Sequence, residues 1–319
     1  MIARRALFVA PLAAAATGHA QVPRRARVGI ANAEAELLRL GVFLPELERL
    51  GWRLGVNLEI LQAGAGGDPA QVPAQIAALV AREPDVIVSA SSRTHMALRD
   101  ATTSIPVIAV AAIDPVLIGL SDSLARPTRN FTGNIGFVDE LMGKRIELLH
   151  EALPRARRIA LLLDPRNPSF RPTHDAAVNA ATRLGLEILV AGYSRSEEVL
   201  PALEAAAPQA DAVIVMPDAI ALQHFPQIAR RAQALHLPTL GFNEGDLALG
   251  LTFVVGADRA LLWRSAAGMV DRLLRGARVA DLPFVRPTKV FTGVNQGVAR
   301  RLGVEVPLAV LARADEVIE

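Results

Sequence analysis

Short polar clusters at the ends of apolar runs are the residues of this chain best placed to do chemistry. Ser91, Ser92, Arg93 and Thr94 follow the apolar run Val86–Val88 and stand where a helix-length segment begins. Free N–H groups, the positive end of a helix dipole and hydroxyls together suit an anion such as a carboxylate. Arg93 could add a two-pronged contact to the same group. Asp218 ends another apolar run and suits an ammonium, although a carboxylate there would equally cap the next helix. Asn167 and Ser169 also read first as helix caps, and a cap at the edge of a crevice can touch a ligand as well. Asp114, before Pro115, reads as a turn residue with a possible ligand contact. Asn32, Asn243, Glu244 and Gly256 complete the candidates by position alone.

Catalytic and cofactor signatures are missing. Gly64-x-Gly66 follows an apolar run, but Pro69 takes the third glycine's place in a dinucleotide fingerprint. Gly143-Lys144 precedes Arg145 and lacks the upstream glycine of a phosphate loop. The six histidines show no metal-ligand spacing, and no Gly-x-Ser-x-Gly elbow occurs. With no cysteine there is no disulfide framework, thiolate metal site or thiol nucleophile. The expectation is a site with no catalytic residue, no metal and no cofactor.

Elements that could position these clusters alternate along the chain. Runs at 27–31, 56–62, 86–88 and 107–113 read as strands, separated by helical stretches at 34–50, after Asp68-Pro69 and after Ser92. Asp68 and Pro69 give cap and first-turn proline. A fifth strand at 131–135 leaves this lobe. The alternation restarts with a helix at 138–153 and strands at 158–163, 186–191, 212–216 and 239–242, with a capping box expected at Ser194-x-x-Glu197. An apolar run at 249–255, a helix at 258–275, a strand at 287–294 and a helix at 295–302 finish the chain. Such runs, bounded by turns and separated by helices, predict parallel sheets buried on both faces, with ligands outside the carboxyl ends of the strands. The fold class expected is α/β: two doubly wound parallel-sheet lobes joined by a hinge. Residues 24–132 plus 256–287 form lobe I and 133–255 plus 288–319 form lobe II, with crossings near 132, 256 and 287.

Composition narrows the possible partners. The chain has 319 residues, 51% of them apolar and 4% aromatic, ample for cores and poor in stacking surface. Residues 1–20 read as a signal peptide: Arg4 and Arg5, an apolar stretch at 6–16, then Gly18-His19-Ala20 with cleavage before Gln21. This stretch falls short of the roughly 20 apolar residues of a membrane span. Removing it leaves 32 basic and 32 acidic residues, with no electrostatic footprint for nucleic acid. The expectation is a periplasmic, non-membrane-spanning monomer, exported by either the general or the twin-arginine route.

Several stretches together resemble a known family. Val306-Pro307 with Leu311–Ile318, Pro287-Thr288-Lys289 with Val294-Asn295, Asn130–Gly133, Gly143-Lys144-Arg145 and Leu163–Pro168 are similar to substrate-binding proteins of ABC importers. The likeness is to the type I periplasmic-binding-protein fold, in the branch that includes tryptophan- and tyrosine-binding members. It runs from about Arg27 to the end. It implies a flytrap that closes on a small molecule, an amino acid or related carboxylate, and presents it to an importer permease. Two turns depart from the pattern: Ser91-Ser92-Arg93 stands where the branch usually has Gly-Thr-Pro, and Asn32-Ala33-Glu34 lacks the usual Gly/Pro-rich sequence. Two other readings stay open from the residues: a secreted α/β hydrolase or transferase, and a ligand-sensing subunit of a signalling receptor.

Overall fold

The computed structural model describes residues 25–31, 40–63, 68–136, 138–218, 220–286 and 289–319. The first lobe runs β1 (Ala26–Ala31), α1 (Leu40–Arg49), β2 (Leu58–Ala63), α2 (Val72–Val80), β3 (Val86–Ser89), α3 (Ser92–Ala101), β4 (Val107–Ala112) and β5 (Phe131–Ile135). Its five strands are all parallel, in the order β2-β1-β3-β4-β5. The second lobe runs α4 (Val138–Ala152), β6 (Arg158–Leu163), α5 (Phe170–Arg183), β7 (Glu187–Gly192), α6 (Val199–Ala206), β8 (Ala212–Val215), α7 (Ala221–Ala234), β9 (Thr239–Gly241), α8 (Gly245–Ala248) and β10 (Phe253–Ala257). Then come α9 (Arg259–Leu274), β11 (Val290–Asn295), α10 (Gln296–Arg301), α11 (Leu308–Arg313) and β12 (Glu316–Ile318). The second sheet has the order β12-β11-β10-β9-β8-β6-β7, with only β10 and β11 antiparallel.

Each sheet is buried on both faces, as its continuous Val/Ile/Leu runs require. In the first, Ile30, Val88 and Ile108 pack with Phe43 of α1 and Trp263 of α9, while Leu61, Ile87 and Val107 face Ile76 of α2 and Leu98 of α3. In the second, Leu161 and Ile214 pack with α4 and α5, and Leu162 and Val213 with α6 and α7. Helix α9 follows a strand of the second sheet yet covers the first. Its Trp263 meets Phe43 edge-on, 5.6 Å between ring centres.

The lobes are therefore linked by three stretches of chain. Residues 133–135 pair in the first sheet and 256–257 in the second, so these two links begin beyond those pairings. The third follows Val285, whose carbonyl accepts from Ile135 N at 2.9 Å. Two glycines sit where the links begin. A Cβ on Gly133 would lie 2.0 Å from the Ala109 carbonyl oxygen, and one on Gly256 would lie 1.8 Å from that of Phe242.

Three local features go beyond the sequence reading or differ from it. The apolar run at 249–255 is not one strand: Gly250, at φ +98°, turns the chain, and β10 begins only at Phe253. The carboxylate that caps the turn before α6 belongs to Glu198, not Glu197, and accepts from Ser194 N at 2.7 Å and Arg195 N at 3.2 Å. The tail forms a short strand, β12, parallel to β11.

Candidate functional site

The carboxyl ends of the two sheets face each other, because residues just beyond β3 and β6 touch across the gap. Ser91 takes an extended conformation, φ −130° and ψ 133°, and its carbonyl starts α3 by accepting from His95 N at 2.8 Å. Its hydroxyl does not cap the helix. The hydroxyls of Ser91 and Ser92, and the amides of Ser92, Arg93 and Thr94, make no hydrogen bond to a described residue. Thr94 is fully buried, with its hydroxyl also unpartnered. This helix end can take an anion without displacing a protein acceptor. His95 adds no charge there: burial lowers its pKa to about 4, and Nε2 lies 2.9 Å from the Ser89 carbonyl.

On the opposite wall, Asp164 follows β6 and its side chain is 1% exposed. Oδ1 accepts from Arg166 N at 2.8 Å, and Oδ2 pairs with the guanidinium of Arg93 from the first lobe. Arg93 is thus held by a protein carboxylate across the cleft. Asp218 lies nearby: Oδ1 caps α7 through Ile220 N at 2.8 Å and Ala221 N at 2.9 Å. Burial raises its pKa, opposed by these hydrogen bonds and reinforced by Asp164. A small indentation is lined by Leu163, Asp164, Asn167, Phe170, Met216 and Asp218, with Ser169, Thr173 and Pro217 completing the wall.

The remaining candidates are more scattered. Asn167 accepts from the amide and the hydroxyl of Ser169, at 3.0 and 2.8 Å, so these two order the turn that opens α5. Asp114 is exposed and holds its own turn through Val116 N and Leu117 N. Asn243 bridges Asp246 and Arg259, the latter at 2.9 Å, beside exposed Glu244. Gly256 is needed for close backbone approach to Phe242. Asn32 lies outside the described residues. The structure brings Ser91–Thr94, Asn167, Ser169 and Asp218 towards one cleft through the Arg93–Asp164 contact and the wall of this indentation.

Asp164 and Tyr193, which bond to the candidates Arg93 and Asp218, were not themselves among the candidates read from the sequence. Asp164 stands in the strand-end pair Asp164-Pro165, a visible repeat of Asp114-Pro115, and that echo could have marked it. Tyr193, the chain's single tyrosine, follows β7 and reaches Asp218 only through the sheet order β8-β6-β7. Among the described residues no helix is long and apolar enough to cross a membrane, and no group of three or more His, Asp or Glu could hold a metal ion.

Comparison with known proteins agrees with this architecture. A curated tyrosine-binding protein of Clostridioides difficile is 25% identical over 263 residues, 82% of this chain and 76% of that one. A Streptococcus pneumonia ABC domain solved in complex with L-Trp matches with a TM-score of 0.85 and 22% identity, over 92% of this chain and all of that one. A ligand-free, open substrate-binding protein with adhesive properties from Clostridium difficile matches with a TM-score of 0.65 and 24% identity, over 92% and 99%. The family model for ABC transporter substrate binding proteins matches residues 34–318, so the chain belongs to that family, one of binding proteins and not of enzymes.

Proposed function

We propose that this protein is an exported solute receptor that closes on an amino acid, or a closely related carboxylate, and hands it to the permease of an ABC importer. The observation that carries the reading is the pairing of opposite walls. One wall offers the unpaired amide end of α3 with its hydroxyls, and the other the buried carboxylates of Asp164 and Asp218. A zwitterion would set its carboxylate on Ser91, Ser92 and Thr94 and its ammonium beside Asp218. The ligand side chain would lie against Leu163, Phe170 and Met216, which suits an apolar or aromatic residue. The curated relative named for tyrosine and the neighbour solved with L-Trp support the same class.

Binding in such a receptor shifts an equilibrium between open and closed lobes, and the closed form is what a permease would recognise. The amino-terminal segment would direct export to the periplasm and be removed after Ala20. A thermal-shift panel of amino acids and small carboxylates tests the reading. A ligand present at a hundred times its Kd adds about 2.7 kcal/mol of stability and raises Tm visibly. A panel in which no amino acid or carboxylate moves Tm would refute it.

A further inference from the structure

We propose that Arg93 and Asp164 form a latch that holds the two lobes together before any ligand arrives. Arg93 is the second residue of α3 in the first lobe, and Asp164 the first residue past β6 in the second. Their contact is an ion pair across the cleft. Asp164 has a second partner, Arg166, but that residue lies two positions along the same turn and is 55% exposed. Arg166 can therefore neutralise Asp164 whether the lobes are apart or together, whereas Arg93 reaches it only when they meet.

Both groups are withdrawn from water, with Arg93 20% and Asp164 1% exposed, so the pair is screened less than a surface bridge. The Asp218 carboxyl and the neutral Tyr193 phenol lie beside the pair, and neither brings a positive charge to compete with Arg93 for Asp164. The latch is a property of this chain's own turn, since Arg93 belongs to the tripeptide Ser91-Ser92-Arg93 that departs from the expected Gly-Thr-Pro. It leaves the amides and hydroxyls of α3 free for the ligand's carboxylate. Closure by a protein ion pair also means that the free receptor must unlatch before a ligand can enter.

The inference rests on the two-lobed receptor reading but needs no ligand for its test. Small-angle scattering of the ligand-free mature protein should show a compact wild type and larger radii of gyration for Arg93→Ala and Asp164→Asn. Removing the pair should move the closed-to-open ratio by about tenfold or more towards open. Arg93→Lys keeps the charge and should fall between. Circular dichroism and melting confirm that each variant is folded, and Arg93→Lys serves alone if the alanine variant is not. Equal radii for wild type and the folded variants overturn the latch, whatever the ligand proves to be. Failure of the amino-acid panel, by contrast, leaves the scattering result standing.

Discussion

The phenol of Tyr193 donates to Oδ2 of Asp218 at 2.5 Å, joining the residues beyond β7 and β8 across the intervening strand β6. Burial, then the neighbouring carboxylate, pushes the Tyr193 phenol well up, so it stays a donor at every physiological pH. With two backbone amides on Oδ1, the carboxylate is fixed in one orientation and still keeps lone pairs for a ligand.

Tyr193→Phe removes that donor while keeping the ring. The loss of a hydrogen bond to a buried charged group should cost about 1–3 kcal/mol of stability. Urea unfolding of wild type and variant measures it. A difference of a few tenths would mean that water replaces the phenol.

Asp218→Asn keeps a side chain able to cap α7 but removes the charge. Affinity for an amine-bearing ligand should fall by roughly ten- to hundredfold, and for its deaminated analogue by little. Titration calorimetry on both ligands distinguishes the outcomes. Equal affinities for variant and wild type would leave Asp218 as a cap alone.

His95 should make the protein acid-sensitive. Its pKa falls from 6.5 to about 4 on folding because burial disfavours the charged ring. Between those values the unfolded chain binds a proton that the folded one refuses, so stability is full above pH 6.5 and is lost as pH falls towards 4. The loss amounts to about 3 kcal/mol across the window. Comparing urea midpoints at pH 7 and pH 4.5 for wild type and His95→Gln isolates the effect. The variant should lose less on acidification than the wild type does.

Gly256→Ala should damage the link between the lobes. The added methyl would overlap the Phe242 carbonyl, and backbone cannot rotate away as a side chain can. The expected cost is about 2 kcal/mol or more, read as a lowered Tm. An unchanged Tm would show that β10 slides freely past Phe242.

Intact-mass measurement of protein recovered from the periplasm should give a chain beginning at Gln21, with or without cyclisation. Recovery of the unprocessed chain from the cytosol would contradict export.

The doubly wound pattern was legible because each βα unit announces itself by a β-branched run and a polar residue where the next helix starts: Val86–Ser89 before Ser91, Ala212–Val215 before Asp218. The resemblance carried the pairing of lobes into a flytrap. Less legible was anything decided between lobes. Arg93 reads locally as a cation at a helix start, and its partner Asp164 lies 71 residues away, brought near only by the way the lobes face. The run at 249–255 could be given no element, because apolar content cannot tell a strand from a buried turn, and Gly250 divides it.

The most direct test of the account is a calorimetric titration of the wild-type mature protein with an amino acid that raises its Tm, beside the same molecule lacking the amine. The account predicts saturable one-to-one binding of the amino acid, at least about tenfold tighter than the analogue. Equal or tighter binding of the analogue would contradict it and make the ligand a simple carboxylate.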